Sequence, residues 1–597
     1  MSFKAISLFP CHPATTRGEA TKLSSSKDRI VWTNGRTVII RDLKNPSQVI
    51  ANSGHVQAAT VARVSPTGYY CASADAAGTV RIWDLVGEDN VLKAEYKVLS
   101  GRINDLEWDG DSKRIIAVGD GRDKFGHAFM MDTGSSTGEV IGHSKVINAV
   151  AIRHQRPFRA ATAGDDTTIV FHQGVPFKYD KTIKTHTKFV QDVRYAPSGD
   201  HFASVGSDAK VFVYDGKTGD TLGEFNDNPH TGSIYASSWS PDSKSLATSS
   251  ADCTVKLWDI ETKKAVTTWK VGSGVNHQQV GNTWTAGDDI VSLSMSGDLN
   301  IFDKRSGERP ARILQGPTKS ITSAIPTPGS DTFIAGTAEG RILSFSGTEY
   351  SLIEGQGHSS LVSGLGLASS GDVYSTGYDD TLKEIDLKGS SFSQASTATA
   401  SQPKSLAIGS DNTVFVAEIK GVEVIVSNQK VHELQTKYTP SSVAAAGKIV
   451  AVGGEDHKIR LHEWDGKTLK EVALLEGNKG PVGAIAFSPD GALLAAGDSS
   501  GKIILFDVEK RASITSRWSF HSGRIHSLAW TADGKHCASA SLDTHVYIWS
   551  VAKPMKNIAI KNAAPNGVNA VFWLGDTKLA SAGADGCVRT WDIKFHV

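Results

Sequence analysis

Cysteine, net charge and long apolar runs are all scarce in this sequence, and each shortage closes off a class of protein. The 597 residues include five cysteines, Cys11, Cys71, Cys253, Cys537 and Cys587, odd in number, scattered and without a CxxC pair. That pattern fits neither a disulfide framework nor a thiolate zinc site, and it suits a reducing cytoplasm. No run of about 18 apolar residues occurs, and the opening MSFKAISLFPCHP lacks a charged leader followed by a long apolar stretch. A soluble intracellular protein without a membrane segment is expected. Lys plus Arg and Asp plus Glu both count 63, for a formal net charge of zero, which argues against long-range attraction to nucleic acid or an anionic membrane. A chain this long buries large cores unaided, so no metal or other cofactor is needed to hold it together, and none is expected.

What the chain has in quantity is turn chemistry. Glycine occurs 58 times, and DG, SG, PDG and PTG steps separate short Val/Ile/Ala/Ser-rich runs, the signature of hairpins. Strand-like runs end on an aromatic or apolar residue, often before Asp: VRIWD at Trp83, VFVYD at Tyr214, VKLWD at Trp258, LNIFD at Phe302, IILFD at Phe506, VYIWS at Trp549 and VRTWD at Trp591. Weaker copies end near Arg41, Met131, His172, Phe345, Ile385, Val426 and His462, giving fourteen ends about 42 residues apart, the period of a four-stranded propeller blade. Propellers hold about 4 to 8 blades, so the expectation is an all-β fold of two seven-bladed rings, 1–307 and 308–597, divided at the charged DKRSGERP. FKAISLF (Phe3 to Phe9) is an extra leading strand, expected to close a ring, with ARILQG near Ala311 as the closing strand of the second. If Phe3 to Phe9 completes the final blade instead, the chain laces the rings at both ends; the sequence leaves both open.

Inside the better copies a His stands 28 positions before the terminal aromatic, a Ser or Thr 10 before and an Asp 6 before. His186, Ser204, Asp208 and Tyr214 fit, as do His230, Thr248, Asp252 and Trp258, and His521, Ser539, Asp543 and Trp549. Such a set ties three strands of one blade through a buried network, and it resembles the structural tetrad of WD repeats. The same residue types make a catalytic triad. Recurrence at fixed spacing in several repeats marks a folding device rather than one active site.

Several blocks resemble the actin-interacting protein 1 family: SPTGYYCASADAAGTVRIWD (Ser65 to Asp84), DSKRIIAVGDGRDKFGHAFMMDTG (Asp111 to Gly134), RPFRAATAGDD (Arg156 to Asp166) and PFKYDKTIKTHTKFVQDVRY (Pro176 to Tyr195). The resemblance implies two WD-repeat propellers and a non-enzymatic monomer of the cytoplasm and its cortical actin structures. Such a protein binds actin filaments decorated with cofilin, promotes their severing and limits regrowth of the ends. It carries over partner-binding roles to Asp123, Asp165, Lys178, Tyr179 and Phe189. The family commonly has Glu where Asp123 stands and Phe where Tyr179 stands.

Read from the residues alone, Asp165 and Asp166 share a turn in which one acid serves the tetrad and the other is left to face solvent. PFKYDK forms a loop and outer strand, where an exposed aromatic beside a lysine suits an interface. Phe189 lies where burial competes with exposure. GDGRDKFGHAF (Gly119 to Phe129) has strand on both sides and no helix, so it is no phosphate cradle. The repeat containing it is about six residues longer than the mean, and a hairpin lifting Arg122, Asp123, Lys124 and Phe125 off the ring is expected. A scaffold of an RNA-processing or ubiquitin-ligase assembly is the alternative, since fold does not fix function; zero net charge weighs against RNA. No metal-ligand cluster, GxSxG or paired-carboxylate motif escapes the repeat phase, which weighs against an enzyme.

Overall fold

The computed structural model describes residues 2–87, 89–305, 307–329 and 331–595. Among these, the strands form fourteen four-stranded antiparallel sheets, and the only helical element is the 3-10 turn Val275–His277. The sheets are two seven-bladed WD-repeat propellers, numbered here as blades 1 to 14 in chain order. Each blade is a meander whose tight turns need particular residues. Gly78, between Tyr70–Asp75 and Thr79–Asp84 of blade 2, sits at φ +92°, and a Cβ there would come within 2.2 Å of the Leu99 carbonyl oxygen.

Blades hold one another by packing and by two recurring hydrogen bonds. Between blades 5 and 6, Val205, Val213 and Phe225 pack on Ile234, Leu246 and Trp258; each large apolar side chain buried at such a seam contributes about 1.5–3 kcal/mol. The innermost strand of every blade but the first carries a bulge at its second residue. A bulge re-aims the side chain of its extra residue, and here that residue reaches toward the next blade. Thr60 donates to the Ile103 carbonyl at 2.6 Å, Asn104 to Ile147 at 3.0 Å, Asn148 to Val190 at 3.1 Å, Thr322 to Val362 at 2.6 Å and Ser441 to Val482 at 2.7 Å. Asn569 donates to Ile321 at 2.7 Å, closing blade 14 onto blade 8. In the reverse sense, the indoles of Trp108, Trp239, Trp530 and Trp573 donate to Arg63, Arg194, Ala486 and Ala529 of the preceding blades at 2.9–3.1 Å.

The chain divides into two compact units, His12–Gln315 and a second made of Met1–Cys11 with Gly316–Val597. This differs from a cut at residues 307 and 308 for two reasons of strand pairing. Arg312–Leu314, expected to close the second ring, pairs with Leu299–Phe302 and is the outer strand of blade 7. Phe3–Phe9 pairs antiparallel with Val588–Ile593 and is the outer strand of blade 14. The chain therefore passes between the units twice, at 11–12 and at 315–316. Ser306, in the stretch expected to divide the rings, lies outside the described residues.

Six blades carry a His–Asp–Ser/Thr network among the described residues. His186 sits 3.0 Å from Asp208 and 2.8 Å from Ser204, which meets the Tyr214 hydroxyl at 2.9 Å. His230, Asp252, Thr248 and Trp258 repeat this at 2.8–2.9 Å, as do His521, Asp543, Ser539 and Trp549. His55 with Asp75 and Ser73, His143 with Asp166 and Thr162, and His358 with Asp379 and Ser375 form three more. In each acid the backbone N–H after the histidine is a further donor where one forms, as from Thr187 to Asp208 at 2.9 Å. Blade 14 keeps Ser581 and Trp591, joined at 3.1 Å, while Asp585 pairs instead with Arg589 at 2.7 Å.

Candidate functional site

The strands of blade 4 place Asp165 and Phe189 at one end of the first ring. Asp165 starts the turn between Arg159–Gly164 and Ile169–Gln173, and Phe189, 46% exposed, ends the connection leading to Val190–Tyr195. Both line a polar cavity of about 350 Å³, together with Lys22, Arg102, Asp120, Asn148 and Gln191. Asp165 is not left to solvent as expected: it is half-buried, and its carboxylate accepts from the Asn148 amide at 2.7 Å. The tetrad acid is Asp166, which binds His143. Residues 18–20 also border the cavity, and Glu19 pairs with Arg102 at 3.2 Å.

Beneath the cavity lies a buried ion network. Lys22 contacts Asp192 at 3.0 Å and Asp105 at 3.8 Å; Arg194 bridges the same two acids at 2.9 Å, and Arg63 meets Asp105 at 3.1 Å. Burial alone would raise the pKa of Asp105, but Arg194, Arg63 and Lys22 outweigh it and hold the carboxyl well below the usual range. Burial likewise works against the Arg63 charge, and Asp105 and Glu107 reverse it. Each of these cations has a carboxylate, so the network locks blades 2, 3 and 5 and the segment before blade 1 rather than offering charge to a ligand.

Asp123 is exposed in the turn 120–125 of blade 3, beside cavity residue Asp120. Arg122 takes φ +59°, and the Asp123 N–H donates to the Gly121 carbonyl at 2.6 Å. The hairpin does not lift free as a whole. Phe125 folds back onto a core containing Val118, Val140 and Phe177, because an aromatic ring beside apolar surface gains more by burial than by display. The surplus length is shared between this turn and the connection 85–91 within blade 2, of which Glu88 lies outside the described residues.

Lys178 and Tyr179 begin the outer strand Lys178–Ile183 of blade 4, at the opposite end of that blade from Asp165. Lys178 is exposed, and Tyr179 is 44% exposed with its hydroxyl 3.1 Å from Thr182. The strand start is steadied by blade 3, since the Phe177 N–H donates to the Thr137 carbonyl at 2.8 Å. The structure thus joins Asp165 and Phe189 in one cavity, leaves Asp123 exposed in the turn that begins at cavity residue Asp120, and puts Lys178 and Tyr179 on the outer strand of blade 4. The cavity's Asn148 and Gln191 went unread in the sequence; as bulge residues, their signal is the second position of each inner strand.

The histidine networks have the Asp-His-Ser connectivity of a hydrolase triad, but Ser204, Thr248 and Ser539 are fully buried and already hydrogen-bonded to an aromatic side chain. No substrate reaches them. Among the described residues no group of three or more His, Cys, Asp and Glu is arranged to hold a metal ion, and no helix is long and apolar enough to cross a membrane.

Fold and networks together define a protein of the WD-repeat class. Five segments, 46–84, 177–215, 220–259, 513–550 and 556–592, match the family described as WD domain, G-beta repeat, and residues 444–523 match the Anaphase-promoting complex subunit 4 WD40 domain. Along its whole length the chain is similar to Actin-interacting protein 1 of Drosophila melanogaster, 38% identical over 98% of this chain and 97% of the relative. It is 36% identical to WD repeat-containing protein 1 of Xenopus tropicalis and 38% identical to the 66 kDa stress protein of Physarum polycephalum, each over 100% of both chains. The chain belongs to the actin-interacting protein 1 family.

Proposed function

We propose that this protein binds actin filaments through its first ring and cooperates with cofilin to sever and disassemble them, limiting regrowth of the ends produced. It acts by binding alone, as a monomer without a cofactor, in the cytoplasm on the actin cytoskeleton. The observation that carries this reading is exposed Asp123 in the turn that begins at cavity residue Asp120, with Asp165 and half-exposed Phe189 lining the same cavity, in a chain related end to end to a protein named for actin interaction. Lys178 and Tyr179 supply a second contact on the rim, a lysine beside an exposed aromatic being the chemistry of a binding hot spot. Two contacts on one rigid ring combine through effective concentration, so neither has to be strong alone.

Filament microscopy with and without cofilin tests the proposal. Asp123→Ala and Lys178→Ala are expected to slow cofilin-dependent disassembly by about tenfold, the effect of losing a hot-spot side chain, with unchanged melting temperature. Wild-type filament turnover by both variants would remove this site. Absence of any filament effect from the unaltered protein would remove the function.

A further inference from the structure

The axis of the second ring differs chemically from that of the first. The bulged residues of all seven of its blades converge on one channel, which widens to cavities of about 570 Å³ and about 300 Å³. At that position Thr322, Ser441 and Asn569 each tie their blade to the next, while Ser363 bonds Thr376 within its own blade and blade 12 has Gly483. Blades 10 and 13 give up the tie and place Lys404 and His526 there instead.

Lys404 lies 5.0 Å over the Tyr378 ring with its amine 3.1 Å from the Gln402 amide oxygen, and His526 Nε2 is buried with no hydrogen-bond partner. Exposed Arg524 borders the larger cavity beside them. None of the three forms an ion pair among the described residues, and one carboxylate, Glu455, borders the same cavity. In the first ring, by contrast, Lys22, Arg63, Arg102 and Arg194 all meet carboxylates.

We propose that the axial cavity of the second ring binds a small polyvalent oxyanion of the phosphate class. An ammonium, a guanidinium and an imidazole enter from blades 10 and 13 around a shared cavity, which suits an anion with oxygens on several sides. The volume is that of a small-molecule site. The proposal concerns the second ring alone and does not depend on the actin reading.

Isothermal titration of the full chain at low salt tests it, with inorganic pyrophosphate as the free anion and a short phosphoserine peptide as the protein-borne one. Saturable one-to-one binding of either probe is expected, weakening as salt rises, and the tighter probe identifies the source. Lys404→Thr and His526→Asn place there the residues that blades 8 and 14 carry, so both are expected to melt no lower than the unaltered protein. Each should weaken binding by about tenfold or more, as should Arg524→Gln, because each removes a charge-assisted or buried donor. No saturable heat with either probe, or titrations unchanged in Lys404→Thr and His526→Asn, would overturn the site. Filament turnover by the same variants is expected to stay at wild-type rate, so this site and the first-ring surface fail independently.

Discussion

Blade 10 has no network histidine, and two acids fill the space. Glu418 ends Val414–Glu418 and Glu423 lies in the next strand, Gly421–Val426; they are 2% and 1% exposed. Glu418 accepts from the Ser401 N–H at 2.7 Å, as Asp208 does from Thr187, while Glu423 pairs with Lys430. Burial, a hydrogen bond to Glu423 and the Glu423 charge push the Glu418 carboxyl up to about 8 from an ordinary 4.5. Two buried carboxyls in contact hold one proton between them.

The folded state thus keeps a proton that the unfolded chain releases above about pH 4.5. Stability from this group is complete below that pH, declines as pH rises through the window from 4.5 to 8, and levels off beyond. One proton corresponds to about 1.4 kcal/mol per pH unit, so the loss between pH 6 and 8 is at most about 3 kcal/mol. Glu418→Gln keeps the shape and supplies the donor permanently. Its advantage over the unaltered protein is expected to grow by about 2–3 kcal/mol between pH 6 and pH 8. Two rings need not unfold in one step, so hydrogen exchange over residues 403–435 against urea, at several pH values, is the local assay. Parallel pH dependence in the two proteins, or a variant weaker at pH 8, would refute the shared proton.

Asp543→Ala should destabilise blade 13 by about 2–4 kcal/mol, since it leaves His521 and the Ser522 N–H without their buried partner; urea unfolding measures it. Burial opposes the Asp543 charge, but His521 and the Ser522 and His545 N–H groups hold its pKa down to about 2. Its contribution is therefore present above about pH 4 and lost as pH falls toward 2, a decline the alanine variant should lack. Deleting residues 2–9 exposes the edge of Val588–Ile593, and an open edge invites pairing with another chain. Light scattering should then detect oligomers; a monomer of unchanged melting temperature would contradict the closure.

Much of the fold is legible because each blade repeats a local instruction: an alternating strand, a turn, a buried aromatic. The networks of His55, His143 and His358 escape fixed spacing for equally local reasons. Asp75 stands two positions early, at the end of its strand rather than in the turn, His143 is one position farther from its strand end, and His358 one nearer. The partner of Phe3–Phe9 is set by pairing across nearly the whole chain, and no neighbouring residue announces it. At the candidate site, residue types were readable, but the Asn148 contact that half-buries Asp165 depends on a bulge in another strand, and the fold of Phe125 onto Phe177 on a neighbouring blade.

The place of Phe3–Phe9 also sets an order of events during synthesis. Residues 12–315 have all the strands of the first ring, so that ring can finish as soon as it leaves the ribosome. The strand made before it must wait, unpaired, until Val588–Ile593 has been translated. A truncated product stopping short of that segment thus carries a complete first ring, an unfinished second one and a loose apolar strand, a combination that quality control can recognise by what is left dangling.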